Sequence, residues 1–206
     1  MEKTASPKPP SRLLKPQGDW ESWVDKWRQV AGGDYAKIFT RGRPMHARAC
    51  AHFLYAHDLL MATCDLPPNA TWLEVGAGRG TTSQYLAARG CDVTLLDMCE
   101  SGLELAARNW LSEGMCPPKM YIADAADTGF EDESYDCVYS IGLLEHFDDP
   151  RPVLAESLRL LKPGGLFWMT IFNVPSTDVE RHVRAREEYV AMMAELGAAA
   201  ICRPYP

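Results

Sequence analysis

The chain has 206 residues, 47% of them hydrophobic, and a formal net charge of −7. That length suits one domain with a full core, and the acidic balance argues against a nonspecific nucleic-acid binder, which needs a basic face. No apolar run approaches the ~20 residues of a membrane span, and Lys3 and Lys8 precede no apolar stretch of the secretory kind, so a cytoplasmic location is expected.

Residues 1–18 carry Pro7, Pro9, Pro10 and Pro16 among lysines and serines and read as a flexible tail. A helical segment, 19–66, follows as a lid or N-terminal layer. Asp19 can cap a first helix in which Trp20, Trp23, Val24, Trp27 and Ala31 form one apolar stripe, ended by Gly32 and Gly33. A short turn or helix covers 35–39. Pro44 opens another helix to about residue 63, with Met45, Ala49, Phe53, Ala56 and Leu60 inward. From 67 to 206 the pattern becomes that of a single α/β domain. Strands are expected at 71–75, 91–96, 119–123, 136–141 and 166–172. Between them lie a helix over 82–89 stopped by Gly90, and one with Leu103, Ala106, Ala107, Trp110 and Leu111 inward. A third, from Pro152, has Leu154, Leu158 and Leu161 inward and is broken at Lys162-Pro163-Gly164-Gly165. A charged helix is expected over about 177–196. Repeated β-α units of this length imply a doubly wound, mostly parallel, Rossmann-like sheet with helices on both faces. Ligands then sit outside the carboxyl ends of the strands.

The chemistry concentrates at those ends. Trp72-Leu73-Glu74-Val75 runs directly into Gly76-Ala77-Gly78-Arg79-Gly80, and Asp97 closes the next strand. A glycine loop followed by an acid at the next strand end is how such a sheet holds an adenine nucleoside. The loop reads G-x-G-x-G, with Thr81 where a dinucleotide binder has its last glycine, and no Gly-Lys-Ser/Thr is present. Glu74 would repel a pyrophosphate and welcome a cation. S-adenosylmethionine, with its ammonium and sulfonium, meets those terms. The seven cysteines include no C-x-x-C, and Cys91 and Cys99 are the nearest pair, so no zinc knuckle or dithiol redox site is indicated. His46, His52, His57 and His182 lack ligand spacing, and no metal is expected.

Five segments in order give a family resemblance: Leu73-Glu74-Val75-Gly76-Ala77-Gly78-Arg79-Gly80, Thr94-Leu95-Leu96-Asp97, Ala123-Asp124-Ala125, Tyr135 to Ser140 continuing to Leu144-Glu145-His146-Phe147, and Leu160-Leu161-Lys162-Pro163-Gly164-Gly165. Residues 71–173 resemble a class I S-adenosylmethionine-dependent methyltransferase, in the branch that acts on small molecules. The resemblance implies that Glu74, Gly76, Ala77, Gly78 and Gly80 border the methionine part of the cofactor. Asp97 would accept from both ribose hydroxyls, and Met98 would lie against the adenine. Asp124 would accept from the adenine amino group, with the Ala125 N–H at a ring nitrogen. Ser140 would lie beneath the methionine chain. The family's sheet ends in an antiparallel hairpin for which the residues after Phe172 leave no room, so a shortened sheet or a fragment is expected.

His146 is the motif residue able to take a proton from an attacking hydroxyl or amine; it could equally just order its loop. The tryptophan stripe can pack on the sheet domain, close over the cofactor and substrate, or dock on a membrane surface. Tyr35, Phe39, Arg43 and His46 are candidate lid contacts, Arg43 for the cofactor's carboxylate. Arg181, Arg184 and Arg186 with Glu187 and Glu188 read as a solvated helix face. The expected function is methyl transfer from S-adenosylmethionine to an O, N or C nucleophile of a small-molecule acceptor, with an oligomer open. A non-catalytic cofactor-binding or partner subunit, or an NAD-dependent oxidoreductase, are the alternatives.

Overall fold

The computed structural model describes residues 20–32, 66, 69–172 and 182–199. The tail, the helix expected over 44–63, the lid candidates Tyr35, Phe39, Arg43 and His46, and the side chain of Trp20 lie outside the described residues, as do residues 173–181 and the final stretch from 200.

The elements in chain order are α1 (Trp20–Ala31), β1 (Thr71–Val75), α2 (Thr81–Ala88), β2 (Asp92–Asp97), α3 (Glu100–Ser112), β3 (Lys119–Ile122), β4 (Tyr135–Ile141), a 3-10 turn (Leu144–His146), α4 (Arg151–Arg159), β5 (Leu161–Thr170) and α5 (Arg186–Glu195). Among the described residues the sheet has five strands in the order β3-β2-β1-β4-β5, every pair parallel. The strand order reverses between β1 and β4, and a crevice opens outside the carboxyl ends at such a point.

Strand alternation sorts the core into two layers. Leu73, Val75 and Val138 join Leu154 of α4 and Met192 of α5 on one face. Trp72, Leu95 and Tyr139 join Leu86 of α2 and Trp110 of α3 on the other. The central strands β1, β2 and β4 are buried on both faces, which is why they read as near-continuous apolar runs.

Three expectations change. Lys162-Pro163-Gly164-Gly165 turns as expected, but within β5 rather than ahead of it. β5 begins at Leu161, opposite Tyr135, and its next partner pair is Cys137 with Leu166, so the four residues form a bulge within the strand. That also removes Leu161 from the inner face of α4. In α3, Leu111 is 64% exposed, whereas Leu105 and Asn109 are buried. Leu103, Ala106 and Trp110 of the expected stripe are buried, and Gly102, where an added Cβ would meet the Gly78 backbone, is buried beside them. The last helix is shorter than expected. It starts after Ala185, whose N–H donates to Glu188 Oε1 at 2.7 Å, and Arg184 lies before it, donating to the Asp148 carbonyl.

Candidate active site

Glu74 lies on β1, on the face that carries Trp72, and points at the start of α2. It is 4% exposed. Its Oε2 accepts from the Ser83 hydroxyl at 2.5 Å, the Ser83 N–H at 3.3 Å and the Tyr139 hydroxyl at 3.4 Å. None of these partners is a cation. Burial therefore dominates, and the carboxyl is raised to about 7 against the lowering pull of Ser83 and Tyr139.

Asp97 ends β2 and is 7% exposed. Its Oδ2 accepts from the Gly78 N–H at 2.7 Å and its Oδ1 from the Cys99 N–H at 2.7 Å. Burial raises its pKa, opposed by these backbone donors. The acid thus fixes the glycine loop and the turn into α3 at once, and each oxygen keeps a further lone pair for a ligand.

Gly78 is left-handed, φ +51°, and crowded from two sides. An added Cβ would lie 2.1 Å from Trp27 Cζ2, and a Cβ on Gly102 of α3 would lie 3.1 Å from the Gly78 Cα. The close approach that a missing side chain permits is used here by the indole of Trp27 and by a helix backbone.

These parts surround an open cavity of about 210 Å³. Glu74, Gly76, Ala77, Asp97, Met98, Asp124, Ala125 and His146 all line it. Asp124 also accepts from the Ala126 N–H at 2.8 Å, in a tight turn just past β3. Gly78 contributes its backbone to the loop, although it is not in the wall itself.

Two residues change role. Ser140 is 2% exposed and off the cavity, since strand alternation sets it on the Val138 face; Ile141 and Gly142 form the wall there. Gly80 turns into α2 with its N–H donating to the Ala77 carbonyl, and Leu95 and Trp110 fill the space beside it, so it shapes the core behind the loop.

Other wall residues carry no motif signal: Thr82, Leu143 and Phe172. Trp23 and Trp27 belong to it too, and only the helical spacing of their stripe hinted at a shared face. α1 also packs on α3, where the Ser101 hydroxyl donates to the Val24 carbonyl at 3.5 Å. Among the described residues, no group of three or more His, Cys, Asp or Glu side chains is placed to hold a metal ion, and no helix is long and apolar enough to cross a membrane.

The geometry agrees with comparison to known proteins. A family model described as a methyltransferase domain matches residues 73–169. The ubiquinone biosynthesis O-methyltransferase of Photorhabdus laumondii is 32% identical over 136 residues, which are 65% of this chain and 51% of that protein. Over residues 73–169 the chain is thus similar to methyltransferase domains. The demethylmenaquinone methyltransferase of Clavibacter sepedonicus is 37% identical over 109 residues, 53% of this chain and 44% of that one. The chain thus spans about half the length of these relatives. The chain also shares its fold with the [4+2]-cyclase SpnF, at a TM-score of 0.68 and 18% identity, over 92% of this chain and 75% of that one.

Proposed function

We propose that the protein transfers a methyl group from S-adenosylmethionine to an oxygen, nitrogen or carbon nucleophile of a small molecule, in the cytoplasm. The observation that carries this is the pair of buried acids, Glu74 and Asp97, in one cavity wall beside a glycine loop, with no cation among their hydrogen-bond partners.

The residues fit that cofactor. Asp97 and Asp124 would take the ribose hydroxyls and the adenine amino group, and Met98 and Ala125 would flank the base. Glu74, Gly76 and Ala77 would hold the amino-acid end. The Thr82 hydroxyl, buried in the wall without a hydrogen-bond partner, is available to the same end. When bound, the cofactor supplies an electrophilic methyl group. What remains for the chain is positioning and water exclusion, which can be worth effective molarities of ~10⁵–10⁸ M. Trp23 and Trp27 bring apolar surface to the cavity wall for that purpose. His146 is the imidazole in the wall and the candidate to receive the acceptor's proton.

Calorimetry with S-adenosylhomocysteine and with NAD tests the reading. Saturable binding of S-adenosylhomocysteine and none of NAD is expected. The reverse would replace methyl transfer by nicotinamide chemistry, and binding of neither would remove both.

A further inference from the structure

β4 carries a tyrosine that the proposed chemistry does not use. Tyr139 is fully buried, and its register partner on the neighbouring strand β1 is Glu74. Paired positions of adjacent parallel strands turn their side chains to the same face, and here that face meets α2. The Tyr139 hydroxyl lies 2.5 Å from Ser83 Oγ, which in turn donates to Glu74 Oε2 at 2.5 Å. The tyrosine ring packs edge to face on Trp72, with centroids 6.3 Å apart. A phenylalanine would fill that space with no hydroxyl to satisfy, yet this hydroxyl is present and aimed at the acid.

The bonds to Glu74 converge on one oxygen. Oε2 accepts from the Ser83 hydroxyl, the Ser83 N–H and, at 3.4 Å, the Tyr139 hydroxyl. None of them reaches Oε1, in a side chain that lines the cavity. Each hydroxyl has a single proton to donate. With Glu74 ionised, the Ser83 proton goes to Oε2 and the Tyr139 proton goes to Ser83 Oγ. Every member is then satisfied, and each bond polarises the next. Donors arranged in that order favour the charged carboxylate. Tyr139 stays a donor throughout. Burial above all, with Glu74, Cys137 and Cys91 nearby, holds the phenol well above its ordinary range against the Ser83 bond. Asp97 of β2 repels the Glu74 charge, and Arg79, Asp124 and His146 line the same cavity.

Resting on the methyl-transfer reading, we propose that Tyr139 is a positioning residue for the cofactor: relayed by Ser83, its hydroxyl pins Glu74 Oε2 and favours the charged carboxylate, whose other oxygen receives the ammonium group. Tyr139 itself touches no ligand. It acts through the acid that does.

The test is calorimetry of S-adenosylhomocysteine binding on the full chain, near pH 7 and at about pH 8.5. Wild type is compared with Tyr139→Phe, which removes one oxygen and keeps the ring. Loss of a hydrogen bond supporting a charged group should move the ionisation of Glu74 up by about one pH unit from about 7. Tyr139→Phe should therefore bind about fivefold more weakly than wild type near pH 7, and within about twofold of it at the higher pH. Ser83→Ala should show the same pattern. In a Glu74→Gln background Tyr139→Phe should change affinity by less than about twofold. An equal loss at both pH values, an unchanged affinity near pH 7, or the same loss in the Glu74→Gln background would overturn the proposal. Should Tyr139→Phe fail to fold, Ser83→Ala decides by the same pattern. No binding by the wild type at either pH would overturn the methyl-transfer reading, and this proposal with it. Binding without the pattern overturns only the role of Tyr139.

Discussion

The two ends of the sheet treat a carboxylate in opposite ways. At the amino end, Asp136 of β4 accepts from the Thr71 N–H at 2.8 Å, the Thr71 hydroxyl at 2.8 Å and the Lys162 ammonium at 2.7 Å. Partial burial alone would raise its pKa, but the Lys162 and Thr71 bonds outweigh it and hold the acid below its usual range. At the carboxyl end, Glu74 has two hydroxyls and an amide for company, and burial wins. The first arrangement is finished within the chain and serves stability. The second places a buried acid with no cationic hydrogen-bond partner in the cavity wall, which is what the proposed cofactor site needs.

Variants at each end can break or sharpen this contrast. The largest effect belongs to Glu74. Below about pH 4.5 the group is neutral in both the folded and unfolded chain. As pH rises, the unfolded chain ionises first, and folded stability falls until Glu74 itself ionises near 7. That penalty amounts to up to about 3 kcal/mol. In Glu74→Gln the unfolding free energy measured by urea titration should lose this fall between pH 4.5 and 7. An identical pH profile would mean that Glu74 is not held neutral. Next comes Asp97→Ala, which strips the Gly78 and Cys99 N–H groups of their acceptor and should weaken S-adenosylhomocysteine binding by about 1–3 kcal/mol. Unchanged affinity would detach residue 97 from the site. The smallest effect is at the finished end. Asp136→Asn should lower stability by about 1–2 kcal/mol, since Lys162 is partly solvated, and leave S-adenosylhomocysteine affinity as it was. A loss of affinity there would blur the distinction between the two ends.

The sheet was legible in the sequence because its central strands are buried on both faces and glycine-stopped helices lie between the strands. β1 spans the expected residues, and Glu74 and Asp97 reach the crevice because their strands are short and end in turns. Signals failed where tertiary packing overrode a local one. Lys162-Pro163-Gly164-Gly165 turns, yet β5 pairs with β4 on both sides of it, at Leu161 and again from Leu166. Ser140 sits in a motif, yet alternation hides it. The ring-lined wall was out of reach for a different reason: Trp23 and Phe172 are far apart in sequence, and nothing local couples a helix before β1 to the residues after β5.

The account rests on buried acids that await a cation, and the affinity of S-adenosylmethionine as a function of pH, measured by calorimetry, tests it most directly. Ligand binding to the ionised form of Glu74 predicts an affinity that rises about tenfold between pH 6 and 8 and then levels off. In Glu74→Gln binding should be weaker and flat across the same range. Affinity that does not change with pH in the wild type, or a Glu74→Gln variant that binds as tightly as the wild type at pH 8, would contradict it.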